Sequence, residues 1–216
     1  MTSIIMIGAT GLVGGALARM LVARGHQVTT VGRRACAIAG VQDLVAPVEE
    51  WPAVIVSLPA VAAISALGTT IKAAGSQAAF AAIDRDAVVA VAKAARARQW
   101  LMVSSVGANP ASRSFYLRVK GQAEVGVAAT GRFERIDIFQ PGLLLGLRHE
   151  PRPGEAMAQR LAPLLGLLAR GPLERFGPIR AEDVATAVAA TIGAVVTGIH
   201  YHRNGDMRRL VSGPTS

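Results

Sequence analysis

The chain is poor in cysteine and in aromatic residues, and each shortage excludes a class of protein. Cys36 is the only cysteine among 216 residues, so no disulfide forms within the chain and a cysteine-rich zinc site is excluded. Phenylalanine, tryptophan and tyrosine together make up 4% of the residues, which is few for the aromatic platforms on which single-stranded nucleic acids stack. We therefore expect neither a disulfide-stabilised secreted domain nor an aromatic nucleic-acid surface.

The chain also lacks a basic cluster, although its net charge is high. Lysine and arginine number 23 against 14 acidic residues, a formal net charge of +9. Most of these cations are arginines scattered from Arg19 to Arg209, whereas nucleic-acid surfaces concentrate them. We expect no nucleic-acid partner, but the positive potential suits a smaller anion such as a nucleotide phosphate.

No targeting or membrane-spanning segment stands out in the sequence. Residues 1–8 pass from apolar residues straight into glycine with no basic region before them, unlike a secretory signal peptide. The uncharged stretches 51–71 and 184–202 are interrupted by proline and glycine or dominated by small residues, so we expect buried segments and no membrane partner. Together with the single cysteine, these features predict a cytoplasmic protein.

Strand-like and helix-like segments alternate along the chain. Apolar runs end at glycines, and segments with helical spacing lie between them. With 51% apolar and 17% charged residues, this pattern predicts an α/β fold with a Rossmann-like, doubly wound parallel sheet. We expect one domain over 1–216, with 151–216 as a C-terminal cap portion on the substrate side. The expected strands cover 3–7, 27–31, 44–48, 61–67, 100–104, 135–139 and 198–202, and the expected helices cover 11–24, 78–97, 113–129, 156–169 and a segment starting near 181.

Three glycines follow the first strand and open the first helix. Glycine permits a sharp turn, a close approach of the main chain to a diphosphate and close packing of helix on strand, while the helix N-terminus offers free N–H groups to the anion. The spacing G-x-x-G-x-x-G in this position predicts an NAD(P)-binding domain, although a glycine-lined turn without a ligand has the same pattern. The expected cofactor contacts in this loop are Gly8, Thr10, Gly11, Leu12, Val13 and Gly14.

Two arginines follow the second strand. Many NAD sites place an acidic residue there, about 20 residues after the glycines, to bind the ribose 2′-hydroxyl. Arg33 and Arg34 occupy this place, and guanidinium groups pair with a 2′-phosphate that a carboxylate would repel. We therefore expect NADP(H) in preference to NAD(H), the alternative being that both arginines are solvated surface charges.

A tyrosine and a lysine stand four residues apart in the predicted helix over 113–129. This spacing brings Tyr116 and Lys120 onto one face of the helix. A carbonyl reductase needs a proton donor beside the substrate oxygen, and a nearby ammonium stabilises the phenolate. Ser104 and Ser105 end the preceding strand, where a hydroxyl can reach the same oxygen. The alternative is a tyrosine that only packs under the lysine.

Five segments together resemble a known family. They are the glycine loop 8–14, Leu67-Gly68-Thr69-Thr70, Ser104-Ser105-Val-Gly-Ala, Phe115-Tyr116-Leu-Arg-Val-Lys120-Gly121 and Gln140-Pro141-Gly142. The chain is similar over nearly its whole length to the atypical short-chain dehydrogenase/reductases, in particular the NAD(P)H-binding group that is like the Tat-interacting protein.

The resemblance implies a Rossmann-like fold, bound NADP(H) and a catalytic set of Ser105, Tyr116 and Lys120, with Lys120 also contacting the cofactor. It further implies that Leu67, Gly68, Thr69 and Ser104 line the cofactor cleft and that Gln140, Pro141 and Gly142 lie beside the nicotinamide. Two features depart from the family pattern. Gln140 stands where relatives often have arginine, and the adjacency of Ser104 and Ser105 leaves open which hydroxyl faces the substrate.

The residues and the resemblance favour an NADP(H)-dependent oxidoreductase that transfers hydride to or from a small carbonyl or alcohol. A regulatory protein that only senses NADP(H) is one alternative, and an enzyme like the nucleotide-sugar epimerases and dehydratases is another. The oligomeric state stays open.

Two other sets of residues are expected to have no catalytic role. We expect no metal site, because His200 and His202 lie on a strand with no acidic residue or cysteine nearby in the sequence. Asp84 and Asp86 are expected on a solvated helix face, since residues two apart on a helix point away from each other.

Overall fold

A computed structural model describes residues 2–145 and 171–213, and a central parallel sheet dominates them. Its strands alternate with helices, as their short apolar runs predict. The strands in chain order are β1 (Ser3–Ile7), β2 (Gln27–Gly32), β3 (Val41–Val45), β4 (Ala62–Ser65), β5 (Gln99–Val103), β6 (Arg135–Phe139), β7 (Leu143–Leu145), β8 (Pro178–Arg180) and β9 (Gly198–His202). Seven of them form the sheet in the order β3-β2-β1-β4-β5-β6-β9, and β7 pairs with β8 alone.

The helices pack on both faces of this sheet. In chain order they are α1 (Leu12–Ala23), α2 (Trp51–Val56), α3 (Ile71–Ala74), α4 (Gln77–Ala81), α5 (Val88–Ala94), α6 (Phe115–Ala128), α7 (Ala181–Thr191) and α8 (Asn204–Ser212). A π-helical segment, Ala82–Ala87, joins α4 to α5, and 3₁₀ turns cover Val48–Glu50 and Gly171–Phe176.

Alternate side chains of each strand divide the core into two layers. Ile4 and Met6 of β1 face the layer that contains α1 and α7, whereas Ile5 and Ile7 face the layer that contains α2, α5 and α6. Both faces are therefore apolar, which is why the strands read as continuous hydrophobic runs. The predicted doubly wound α/β fold is confirmed.

The strand order reverses between β1 and β4, and this reversal creates a crevice at the carboxyl edge of the sheet. Every strand of the sheet is parallel to its neighbours, so the loops after β1, β2, β4, β5, β6 and β9 all meet at that edge. The candidate residues of the glycine loop, the arginine pair and the serine pair lie on these loops.

Three expectations about local structure were wrong. The third strand was expected over 44–48 but covers Val41–Val45, because Pro47 lacks an N–H group and precedes the 3₁₀ turn. The long helix expected over 78–97 is interrupted by the π-helical segment. This segment turns Asp84 inward, with 1% of its surface exposed, so the expectation of a solvated Asp84 was wrong.

The C-terminal part of the described chain completes the main sheet. The last strand and the helix starting at Ala181 lie where the sequence predicts them, while β7, β8 and α8 were not anticipated. The helix expected over 156–169 lies outside the described residues, and a cap role for 151–216 stays a prediction. Within residues 2–145 and 171–213, no helix combines the length and apolarity needed to cross a membrane.

Candidate functional site

The glycine loop after β1 is shaped by two close approaches of main chain to main chain. Gly8 has φ of +86°, and a Cβ added there would lie 2.5 Å from the Ala66 carbonyl carbon and 2.6 Å from the Leu67 amide nitrogen. A Cβ on Gly14 would lie 2.1 Å from the Gly8 carbonyl oxygen. Any larger residue at these two positions would displace the backbone, so the glycines bring the loop, the first turn of α1 and the loop after β4 together.

The first turn of α1 offers the donor set that a diphosphate requires. Gly11 is the N-terminal cap, no side chain caps the helix, and the first turn contains no acidic residue. Helix N-termini of this kind bind anions through free amides and the helix dipole. Thr10 and Gly11 are exposed and Leu12 is partly exposed, whereas Val13 is buried in the core. The loop therefore fits a dinucleotide by its shape and by its donors.

The loop after β2 presents its two arginines to solvent, and Asp43 of β3 binds the main chain of the same loop. Arg33 and Arg34 are exposed. Asp43 of β3 accepts hydrogen bonds from the amides of Cys36 and Ala37, at 3.0 and 3.1 Å, and from the Thr30 hydroxyl. Burial tends to raise the pKa of Asp43, but these hydrogen bonds outweigh it and lower the pKa. Asp43 is thus engaged in holding the loop.

Lys120 of α6 forms a buried ion pair that the sequence did not reveal. Its Nζ lies 2.6 Å from Asp84 Oδ1, and the two side chains are 4% and 0% exposed. The same ammonium donates to the Leu67 carbonyl oxygen at 3.1 Å, and Asp84 Oδ2 accepts from the Thr69 amide at 3.2 Å. The ion pair therefore ties α6 to the loop after β4, which itself packs against Gly8.

Tyr116 lies one helical turn before Lys120 and is half-buried. Its ring packs against Phe80 of α4, with centroids 5.6 Å apart. Ser105 is also partly exposed, and its Oγ lies 3.5 Å from the Val106 carbonyl oxygen, too long for a strong hydrogen bond. Among the residues that the structure describes, the hydroxyl of Ser105 therefore has no strong partner.

The neighbouring serine has a different environment. Ser104 is buried and donates its hydroxyl proton to Glu124 of α6. Gln140 donates from its amide nitrogen to both oxygens of the same carboxylate, at 3.0 and 3.2 Å. Burial raises the pKa of Glu124, and the hydrogen bonds and the charge of Lys120 offset this only in part. Gln140 thus contacts an acidic residue of its own chain.

Pro141 and Gly142 connect the end of β6 to neighbouring loops. The Pro141 carbonyl accepts from the Val106 amide at 2.9 Å, and the Gly142 amide donates to Asn204 Oδ1 at 2.9 Å. A Cβ on Gly142 would lie 2.4 Å from the Gly177 carbonyl oxygen. Close packing therefore accounts for this glycine, and a contact with nicotinamide stays a prediction.

A cleft opens beside the turn of α6 that follows Lys120. Its volume is about 420 Å³, and it lies at the carboxyl ends of β5, β6 and β9. We call it the edge cleft. A Cβ on Gly121 would lie 2.3 Å from the Asn109 carbonyl carbon, so this glycine lets the loop after β5 form one wall. The lining residues are Val106, Gly107, Ala108, Asn109, Pro110, Gly121, Glu124, Val125, Gln140, Arg175, Phe176, Tyr201 and Arg203.

The two histidines of β9 bind neighbouring groups of the protein. His202 Nε2 lies 2.8 Å from Asp137 Oδ1, and the His202 ring stacks on Phe139. His200 Nε2 contacts the Thr197 carbonyl oxygen at 3.1 Å. In the part of the chain that the structure describes, no group of three or more potential metal ligands is present.

Sequence reasoning missed Asp84, Glu124, Arg175 and Arg203. Glu124 had a detectable signal, because it stands four residues after Lys120 on the same helix. The others had none, since packing between distant segments brings them to the carboxyl edge.

The fold and the site define a class of protein: a doubly wound α/β domain with a dinucleotide-binding loop at its topological switch point. Residues 4–118 match the model of the NAD dependent epimerase/dehydratase family, and the chain belongs to that family.

The chain is also similar to curated relatives. It is 37% identical over 208 residues to the protein fmp52, mitochondrial, of Aspergillus fumigatus, which covers 90% of this chain and 87% of the relative. It is 41% identical over 97 residues to the rat protein HTATIP2, covering 44% of this chain and 39% of the relative. The resemblance to the atypical short-chain dehydrogenase/reductases of the Tat-interacting-protein group is confirmed.

Solved structures share the fold at low sequence identity. The Bordetella bronchiseptica enzyme WbmH in complex with NAD⁺ superposes with a TM-score of 0.72 and 15% identity, covering 94% of this chain and 76% of that one. The human epimerase family protein SDR39U1 with NADPH gives a TM-score of 0.60 and 22% identity, covering 93% and 74%.

The expectation of a cytoplasmic protein is contradicted by these relatives. Several that match most of the chain are named as mitochondrial proteins. The expectation depended on a single cysteine and on the lack of a secretory signal pattern. Neither feature separates the cytosol from other reducing compartments.

Proposed function

We propose that the protein is an NADP(H)-dependent oxidoreductase that interconverts a small carbonyl compound and the corresponding alcohol. One observation carries the proposal: the loop after β4 contacts both halves of the site. Its main chain packs against Gly8 of the glycine loop, and its Leu67 carbonyl accepts a hydrogen bond from Lys120 of α6. The dinucleotide-binding loop and the Tyr116–Lys120 helix are therefore one packed unit.

The residues that would hold the coenzyme are those of the carboxyl edge. Amides of the loop from Gly8 to Gly14 would bind the diphosphate, and Arg33 and Arg34 would pair with the 2′-phosphate. Leu67, Gly68 and Thr69, in the loop after β4, would line the cofactor cleft. When bound, the coenzyme supplies or accepts the hydride.

The proton is handled by residues of this chain. In the reducing direction the Tyr116 hydroxyl donates its proton to the substrate oxygen, and in the oxidising direction its oxygen accepts one. Ser105, whose hydroxyl has no strong partner among the described residues, orients the same oxygen by a hydrogen bond. Lys120 has three N–H donors, of which Asp84 and Leu67 engage two. The third donor is left to hold the ribose or the Tyr116 oxygen.

The catalytic role is tested with Tyr116→Phe. NADPH oxidation is followed by absorbance against a panel of aldehydes and ketones, and the variant should lose at least about 100-fold in kcat, the usual contribution of a general acid. NADPH affinity, measured by fluorescence titration, should be retained. Full turnover by the variant would overturn the mechanism.

Coenzyme preference is tested with the double variant Arg33→Ala, Arg34→Ala. Removing two charge-assisted hydrogen bonds should weaken NADPH binding by tenfold or more, at about 1.5 kcal/mol or more per bond, and leave NADH binding nearly unchanged. The control Arg96→Ala, Arg132→Ala removes the same charge from exposed positions that precede β5 and β6, at the amino edge of the sheet. Equal loss of NADPH and NADH affinity would contradict the preference.

A non-catalytic NADP(H) sensor is the second candidate. Asp84 neutralises the charge of Lys120, which leaves Lys120 as a hydrogen-bond donor that grips ribose without a need for chemistry. Stoichiometric NADPH binding with no consumption across the carbonyl panel would favour the sensor.

A further inference from the structure

Two arginines line the edge cleft from adjacent segments of main chain. Arg175 and Arg203 both line it and both are exposed. The segments are joined by hydrogen bonds, because the Asn204 side-chain amide donates to the Gly177 carbonyl at 2.8 Å and contacts the Glu174 carbonyl at 3.3 Å. The two arginines are therefore held at one rim of the cleft. Guanidinium groups match carboxylates in charge and in fork geometry.

Nothing in the described lining of the cleft opposes an anion strongly. Among the lining residues that the structure describes, Glu124 is the one acidic residue, and it is 5% exposed. Its oxygens already accept hydrogen bonds from Ser104 and Gln140, and burial raises its pKa. The carboxyl group is therefore buried and already engaged by hydrogen bonds within the protein.

The cleft also offers apolar surface to the body of a ligand. Phe176 and Tyr201 are 46% and 52% exposed, and the Arg175 guanidinium lies over the Phe176 ring, 4.8 Å from its centroid. Val106 and Pro110 add aliphatic surface. Sites for small molecules combine such apolar walls with a few polar groups that fix orientation.

The cleft adjoins the proposed reaction centre. Val106 follows Ser105 directly, and its amide donates a hydrogen bond to the Pro141 carbonyl. Gln140 follows the last residue of β6 and also lines the cleft. Val106 and Gln140 therefore place one wall of the cleft next to Ser105 in the chain and next to the end of β6.

We propose that the edge cleft binds the substrate, and that the substrate is a carbonyl compound or alcohol that carries a carboxylate, paired with Arg175 and Arg203. This inference rests on the proposed function for its reaction and on the cleft for its substrate class.

The test compares 4-carboxybenzaldehyde with its neutral ester, methyl 4-formylbenzoate. Calorimetric titrations of the protein, with and without NADP⁺, measure binding of each compound independently of turnover. The acid should bind at least about tenfold more tightly than the ester, the effect of one charge-assisted hydrogen bond. The variant Arg175→Gln, Arg203→Gln should abolish this difference and leave ester binding unchanged.

The matched control is Arg96→Gln, Arg132→Gln, which lowers the net charge equally at the amino edge and should keep the preference for the acid. Equal binding of acid and ester by the unmodified protein, or an equal loss in both double variants, would overturn the inference. NADPH consumption is then measured with both aldehydes. Preferential binding of the acid without NADPH consumption would contradict the proposed function but support the anion site. NADPH consumption with equal KM values for acid and ester would support the proposed function but contradict the anion site.

Discussion

Lys120 and Asp84 are both buried, and each depends on the other for its charge to be tolerated there. A buried charge without a partner is costly, so removing one member of such a pair destabilises a protein by about 3–5 kcal/mol. The same pair holds the Leu67 carbonyl and the Thr69 amide. At the residue scale, stability and coenzyme affinity should therefore change together when the pair is broken.

Asp84→Asn should lower the unfolding free energy by about 3 kcal/mol and weaken NADPH binding, because the loop after β4 loses its anchor. Urea denaturation and fluorescence titration measure the two effects. Asp86→Asn is the matched control, since Asp86 pairs with Arg85 at the surface and its loss should change little. The double variant Asp84→Leu, Lys120→Met should lose less unfolding free energy than the single variants Asp84→Leu and Lys120→Met lose together. Strictly additive losses would contradict the coupling of the two residues.

Glu124 gives the molecule a pH-dependent stability of definite sign. Its folded pKa is raised above its ordinary value of 4.5. As pH rises from the ordinary value to the raised one, the unfolded chain releases this proton before the folded protein does, so stability falls across that window. Glu124→Gln removes the titration, so its stability relative to the unmodified protein should increase with pH above about 4.5.

Thermal unfolding from about pH 4 to about pH 8 measures the difference in stability between Glu124→Gln and the unmodified protein, over a range that includes the ordinary pKa of a carboxyl group. Glu49→Gln, at an exposed position, is the control. A constant difference between Glu124→Gln and the unmodified protein over the whole range would contradict the raised pKa.

At the scale of elements, Asp137 joins three strands. It accepts hydrogen bonds from Arg135, from Gln99 of β5 and from His202 of β9, and it is fully buried. Burial tends to raise its pKa, but the bonds from these residues outweigh it, so the pKa of Asp137 is lowered. Its contribution to stability is therefore present above the ordinary value of 3.8 and is lost as pH falls through the lowered one.

Asp137→Asn should destabilise the protein by about 3–5 kcal/mol near neutral pH, because the Arg135 charge is left buried without its partner. Chemical denaturation at several pH values measures the loss, which should shrink as acid protonates Asp137 in the unmodified protein. Glu134→Gln, which breaks an exposed pair with Arg98, is the control. Similar effects of the two changes would show that the network contributes nothing beyond a surface ion pair.

At the scale of the whole molecule, the net charge of +9 attracts anions to the protein. Exposed charges are screened within about 10 Å at 0.1 M salt, so coenzyme affinity should fall as ionic strength rises. The fall should be steeper for NADPH than for NADH, because NADPH carries the additional 2′-phosphate. Titrations at about 10 mM and about 300 mM salt measure how steeply the affinity for each coenzyme falls. In the double variant Arg33→Ala, Arg34→Ala, the affinities for NADPH and NADH should fall with equal slopes. Equal slopes in the unmodified protein would exclude a role of the arginine pair.

The sequence by itself determined the features that are encoded locally. Alternating strands and helices, the glycine spacing at Gly8, Gly11 and Gly14, and the one-turn separation of Tyr116 and Lys120 each lie within a single element or turn, where backbone sterics and helical periodicity act. The parallel topology followed from the same alternation, because parallel strands require crossover connections.

Only the tertiary structure decided which side chains meet. The π-helical segment turns Asp84 toward Lys120, 36 residues further along the chain, and Ser104 faces Glu124 so that Ser105 is the serine left exposed. The edge cleft is assembled from the loop after β5, α6, Gln140, Arg175–Phe176 and β9 with its following residue. Such side-chain contacts depend on how separate elements pack against a common sheet, and the residue pattern within a single element does not predict them.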